Sequence, residues 1–117
     1  MSTPVGPYTP AIRAGDWIIV SGQLGLENGV LVGGGVAAQV TQTVRNIEDL
    51  LRGHSASLSD VVKTTVLLAD IGDYLTMNEA YVAAFGHHRP ARAAYAVAGL
   101  PLGARVEIEA WAYLPRS

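Results

Sequence analysis

The chain has 117 residues and a mass of 12.3 kDa; half of its residues are hydrophobic, 15% are charged, the formal net charge is −2 and cysteine is absent. Disulfides and thiolate chemistry are thereby excluded, and a nucleic-acid partner is disfavoured, because polyanions are held by a clustered basic face. The length fits one domain over 1–117 with a single core. The low charge, against ~25% in ordinary soluble domains, leads us to expect that some apolar surface faces another subunit.

Residues 1–10 carry neither the basic start nor the apolar run of a secretory signal. Apolar runs such as 17–20 fall far below the ~18 residues of a membrane span. A cytoplasmic protein with no membrane partner is expected. Two short strands are predicted at 11–13 and 17–23, joined by a turn at Gly15-Asp16. Asn28-Gly29 marks another turn, and Gly33-Gly34-Gly35 leads into a helix over 36–52. There Val36, Val40, Val44, Ile47 and Leu51 form an apolar stripe, with Gln39, Arg45, Asn46, Asp49 and Arg52 mostly off it. Gly53 stands where a left-handed C-cap would end the helix.

The β-branched segment 61–68 reads as a strand. Asp70 is the predicted N-cap of a second helix over 71–85, ended by Gly86, with Tyr74, Asn78, Tyr81 and Phe85 on its inner face. Strands near 92–98 and 105–113 follow, separated by a loop holding Pro101 and Gly103. The order β-β-α-β-α-β-β indicates an α+β fold, a sheet with two helices on one face. Ile18-Ile19-Val20, Val66-Leu67-Leu68 and the segment 93–97 are apolar on both alternating faces, as in strands buried on both sides. Two helices cover one face only. Copies of the same chain are the simplest cover for the other, so an obligate homo-oligomer is expected.

Arg92 follows Pro90-Ala91, and Glu107 lies fifteen positions further on, both in strand-like segments that could be neighbours. A guanidinium offers a planar fork to a carboxylate, and a glutamate can orient or deprotonate water. Water attack on a small carboxylic acid is therefore the first chemistry to test. Glu107 and Glu109 alternate onto one strand face with Trp111 and Tyr113. Two glutamates alone would suggest a solvated face; the aromatics beside them favour an interface with carboxylates at its wet edge. His87 and His88 point apart in a turn with no carboxylate at ligand spacing, so no metal is expected. His54 suits the carbonyls of the helix end before it. The triple glycine lacks the Gly-Lys-Ser/Thr ending of a phosphate loop and reads as a connection bordering the cleft.

Several segments in order carry a resemblance: Gly6-Pro7-Tyr8, Val20-Ser21-Gly22-Gln23, Val36-Ala37-Ala38-Gln39, Val62-Lys63-Thr64-Thr65-Val66, Met77-Asn78-Glu79-Ala80-Tyr81, Pro90-Ala91-Arg92 and Val106-Glu107-Ile108-Glu109-Ala110. Together they resemble the RidA/YjgF family of reactive-intermediate deaminases, almost end to end. The resemblance implies a chorismate-mutase-like fold, a homotrimer with sites between subunits, and hydrolysis of 2-aminoacrylate-type enamines and imines to 2-keto acids and ammonia. It implies no metal and no organic cofactor.

Carried over, Arg92 pairs with the substrate carboxylate and Glu107 holds and activates water. Tyr8 walls the site, Ser21 and the backbone of Gly22 line it, and Asn78 supports it, here read as coming from the neighbouring chain. Ala94 offers main-chain groups. Without the resemblance, Ser21-Gly22 would read as a bulged strand end and Asn78 as a satisfied helix polar group. The chain departs from many members in carrying Ala93 and Ala94 where Ser or Cys is common, in Tyr95, and in a short segment 86–89. Two other functions stand beside it: a small-carboxylate sensor without turnover, and an endoribonuclease, which the acidic balance disfavours.

Overall fold

The computed structural model describes residues 4–116, so the ends of the domain expected over 1–117 lie outside it. Strands β1 (Ala11–Ala14), β2 (Trp17–Leu24), β5 (Val61–Leu68), β6 (Ala91–Ala96) and β7 (Val106–Tyr113) form one sheet in the order β1-β2-β7-β5-β6. All neighbours are antiparallel except β5 and β6, which run parallel. A second, two-stranded sheet pairs β3 (Leu26–Glu27) with β4 (Val30–Leu31). Helices α1 (Gly35–Arg52) and α2 (Tyr74–Phe85) complete an α+β fold with a mixed sheet.

The alternation predicted for the last strand holds. Val106, Ile108, Ala110 and Ala112 are fully buried under the helices, while Glu109, Trp111 and Tyr113 stand exposed on the other face. The α1 stripe Val36, Val40, Val44, Ile47 and Leu51 packs into the same core as Met77, Tyr81 and Phe85 of α2. Each such side chain removed from water contributes roughly 1.5–3 kcal/mol before entropy is counted. Gly25 lets the end of β2 press onto α1, since a Cβ there would sit 2.8 Å from the Gln39 backbone.

Several expectations change. Gln39 and Asn46 were placed off the apolar stripe, yet both are buried. Their amides take over backbone groups that the core would otherwise leave unpaired: Gln39 Oε1 accepts from the Arg105 N–H at 2.9 Å, and Asn46 Nδ2 donates to the carbonyls of Leu24 and Leu26. Gly53 does not adopt a left-handed conformation (φ −62°, ψ −17°); Ser55 does, at φ 63°, as the N–H groups of His54 and Ala56 both return to Leu51 O. Asp70 caps a 3-10 turn at Ile71–Asp73, accepting from the Gly72 N–H at 2.8 Å, and α2 starts only at Tyr74. The Asn28-Gly29 turn joins β3 to β4 with positive φ at both residues; strands of two residues are too short for alternation to reveal.

The far face of the sheet carries no helix. Trp17 meets Trp111 edge-on at 5.9 Å between ring centroids and Tyr113 at 5.0 Å. Both tryptophans remain 37% and 40% exposed, with Ile12, Tyr95 and Tyr113 also open. That is a large aromatic surface to leave in water.

Candidate active site

Arg92 and Glu107 are not on neighbouring strands. β5 lies between β6 and β7, pairing Thr64 with Arg92 on one edge and Leu67 with Glu107 on the other. They also point to opposite faces. Arg92 reaches under α2, whereas Glu107 alternates with the buried Val106 and Ile108 and lies on the uncovered face. The sequence pattern could not show this, because which strand separates two others is a matter of topology.

Around Glu107 the structure gathers Tyr8, Ser21 and Gly22, joined by Val5, Leu24 and Pro101, in a cleft of about 270 Å³. The register of β2 against β7 slips between Val20 and Gln23, so Ser21 and Gly22 together oppose a single residue of β7. The bulge anticipated at Ser21-Gly22 and the site lining are thus one feature, since the extra residue turns this backbone toward the cleft. A Cβ on Gly22 would fall 2.0 Å from Glu107 Oε2, so the carboxylate rests directly on the glycine Cα. Ser21 Oγ donates to Thr9 O at 2.6 Å and its N–H to Pro10 O at 2.8 Å, which pins the segment carrying Tyr8 along the cleft. The Tyr8 hydroxyl in turn accepts from the Val5 N–H at 3.3 Å. Burial pushes the Glu107 carboxyl above the usual carboxylate range, and the neighbouring Glu109 charge adds to the rise.

Arg92 belongs to a second cluster. Its Nη2 donates to Asn78 Oδ1 at 2.8 Å and to the Tyr74 hydroxyl at 3.2 Å, and Nη1 approaches the Met77 sulfur at 3.9 Å. The guanidinium carbon stands 4.9 Å from the Tyr81 ring centroid and 5.7 Å from that of Tyr74. Asn78 thus bonds the Arg92 of its own chain. The ion pairs among the described residues are Arg52–Asp49 and Arg105–Asp73, which leaves this half-buried cation without a carboxylate. Ala94, two residues along, shares the strand. Because the Val97 N–H bonds to Leu68 O on β5, alternation turns the main-chain groups of Ala94 toward the open edge of the sheet.

Tyr74, Tyr81, Met77 and Thr64 escaped the sequence reading as site residues, as did Val5, Leu24 and Pro101. Only Tyr74 and Tyr81 left a signal, at helical spacing with Asn78 on the face read as inward. His88 Nε2 meets the Val61 carbonyl at 2.6 Å, and among the described residues no three His, Asp or Glu side chains gather at a metal-binding distance.

The family model described as endoribonuclease L-PSP matches residues 1–114. The chain belongs to that family. Human 2-iminobutanoate/2-iminopropanoate deaminase is 48% identical over 108 residues, covering 91% of this chain and 79% of the human protein. A RutC family protein of Pyrococcus abyssi is 44% identical over 112 residues, covering 94% and 88%. The crystal structure of RidA from an Antarctic Psychrobacter matches with a TM-score of 0.91 at 41% identity, covering 96% of this chain and 92% of that one. The RidA resemblance read from the sequence is thus borne out over nearly the whole chain. No helix among the described residues is long and apolar enough to cross a membrane.

Proposed function

We propose that this protein hydrolyses 2-imino acids and their enamine tautomers to 2-keto acids and ammonia, in sites shared between copies of the chain. The observation that carries this reading is the division of the site. An unneutralised guanidinium lies on one face of the sheet, and a carboxylate of raised pKa lines a cleft on the other. Neither half suffices alone. A second copy laid on the aromatic face would cover Trp17, Trp111 and Tyr113 and could bring its Arg92 edge to this Glu107. The names of the relatives, among them the human deaminase, agree with the chemistry. A homotrimer of chorismate-mutase-like subunits, each a single domain over 1–117, completes the reading, with the cytoplasm as its location.

In this scheme Arg92 grips the substrate carboxylate through its free donors, while Nη2 stays tied to Asn78 and Tyr74. Ala94 offers main-chain groups beside it. Glu107 takes a proton from water as the water oxygen bonds to the imine carbon. That proton passes to nitrogen, giving the carbinolamine; the carboxylate then carries the hydroxyl proton to the amino group as the carbonyl forms, the carbon–nitrogen bond breaks, and ammonia leaves with the keto acid behind. These steps need only water as co-reactant. Tyr8, Ser21 and Gly22 shape the wall opposite. Endoribonuclease chemistry is disfavoured by the formal net charge of −2, because a polyanion is held by a clustered basic face.

The test is complementation between two inactive variants. Arg92→Ala and Glu107→Gln proteins are each assayed on 2-aminoacrylate made in situ by a dehydratase, then unfolded, mixed and refolded together. Sites assembled in trans regain activity in about a quarter of cases by random assortment. No recovery, with both variants still assembling as wild type does by light scattering, would reject the shared site. Tight calorimetric binding of 2-ketobutyrate by a wild type that turns nothing over would point instead to a carboxylate sensor.

A further inference from the structure

We propose that Tyr81, held through its hydroxyl by Thr64, is a positioning residue that fixes the plane of the Arg92 guanidinium for its ligand. This rests on the reading of Arg92 as the carboxylate fork, and deepens it. Tyr81 is 3% exposed and Thr64 fully buried, with their hydroxyl oxygens 2.7 Å apart. A buried hydrogen bond at that distance anchors the far end of the tyrosine, while the packing around the ring sets its rotation. The ring also packs against Phe85, centroids 4.7 Å apart and planes 35° apart, which restricts its tilt.

Arg92 lies over this immobile ring. The guanidinium carbon is 4.9 Å from the centroid, inside the range in which the quadrupole of an aromatic face attracts a cation. Asn78 and Tyr74 hold one nitrogen at the edge of the fork, and Tyr81 holds its face. The Met77 sulfur and the more distant Tyr74 ring add weak contacts, and the Tyr81 ring gives the plane its nearest aromatic support. Arginine otherwise loses much rotamer entropy on capturing a ligand, and a fork already oriented loses less. Burial raises the tyrosine hydroxyl above its ordinary pKa, more than the Thr64 bond and the charges of Arg92 and Arg89 lower it, so the platform stays neutral.

Thr64 belongs to β5 and Arg92 to its parallel neighbour β6, directly paired in register. The pairing explains how one threonine can act at a distance. The strand that aligns Arg92 also supplies the anchor for the ring beneath it.

The test separates position from packing. Tyr81→Leu removes the ring, and its KM for the imino acid should rise about 10-fold with kcat changed less than about 3-fold, as expected when a ground-state contact is lost. Tyr81→Phe keeps the ring without its anchor and should bring KM back to within about 3-fold of wild type. Arginine side-chain NMR supplies an arm that needs no turnover and no change at Tyr81. In wild type the Arg92 guanidinium protons, assigned by their loss in Arg92→Ala, should be shifted upfield by the Tyr81 ring and slowed in rotation. Signals at the positions of a free, exposed arginine would overturn the inference. So would an unchanged KM in Tyr81→Leu accompanied only by a lower Tm, the mark of a packing role. A wild type without deaminase activity would overturn the function proposed above and leave the spectroscopic result to decide the stack.

Discussion

Arg92 and Glu107 stand on opposite faces of the same sheet, and their surroundings differ as much as their positions. The arginine is held by four side chains of its own chain, Tyr74, Met77, Asn78 and Tyr81, so its geometry is complete before any second copy arrives. The glutamate has no such scaffold. It leans on the bare Cα of Gly22 in an open cleft, with an unfavourable neighbour in Glu109. A group meant to hold charge is given partners, whereas a group meant to exchange a proton is kept from gaining any that would bind its charge too firmly.

Removing each half in turn sharpens this contrast. Arg92→Ala should have the largest effect, at least about 100-fold in kcat/KM on an imino acid, because no other cation replaces the fork. Glu107→Gln should lower kcat on the order of 10²-fold and abolish the acid limb of the pH–rate profile. Wild-type activity should fall as pH drops through the Glu107 pKa, at a pH above the ordinary carboxylate range, since protonation removes the base. The same variant should not lose stability near neutrality. A raised folded-state pKa means that the contribution of Glu107 is present below the unfolded value and lost as pH rises through the folded one. At neutral pH the charged carboxylate is therefore a burden, and thermal melts of Glu107→Gln should show Tm equal to wild type or higher.

Gly22→Ala comes next. Its methyl group can be accommodated only by moving the flexible carboxylate end, so kcat should drop roughly 10-fold while Tm stays close to wild type. A large loss of Tm without loss of kcat would show that Gly22 serves the bulge and not the glutamate. The smallest effect is expected of Glu109→Gln, which takes away the lesser cause of the Glu107 shift. The acid limb should move toward lower pH with the plateau retained, and an unmoved limb would contradict the electrostatic coupling.

Much of the site was legible in one dimension. Tyr8, Ser21, Gly22 and Glu107 do line a common cleft, and Arg92, Asn78 and Ala94 do share a region. The period-two pattern of the last strand put Glu107 on the face of Trp111 and Tyr113. What the pattern lacked was the order of strands. Arg92 and Glu107 looked like neighbours because their segments are consecutive in sequence, yet β5 returns between them. Gln39 and Asn46 were misplaced for a related reason: a polar side chain in a helix tells nothing of the loose backbone groups it will meet once the chain closes around it. The Tyr81 platform was hidden in the same way, since a tyrosine on an inward helix face reads as core until its neighbours are known.

Alternation, helical spacing and turn residues by themselves determined the five strands of the main sheet and the two helices, the face of the last strand, and the excess of apolar surface that calls for company. These depend on contacts between near neighbours along the chain, which periodicity records. Only the tertiary structure decided that the cation and the carboxylate lie back to back across the sheet, and that the cation rests on a tethered ring. Strand order and side-chain encounters are set by packing among residues far apart in sequence, and no local pattern encodes them.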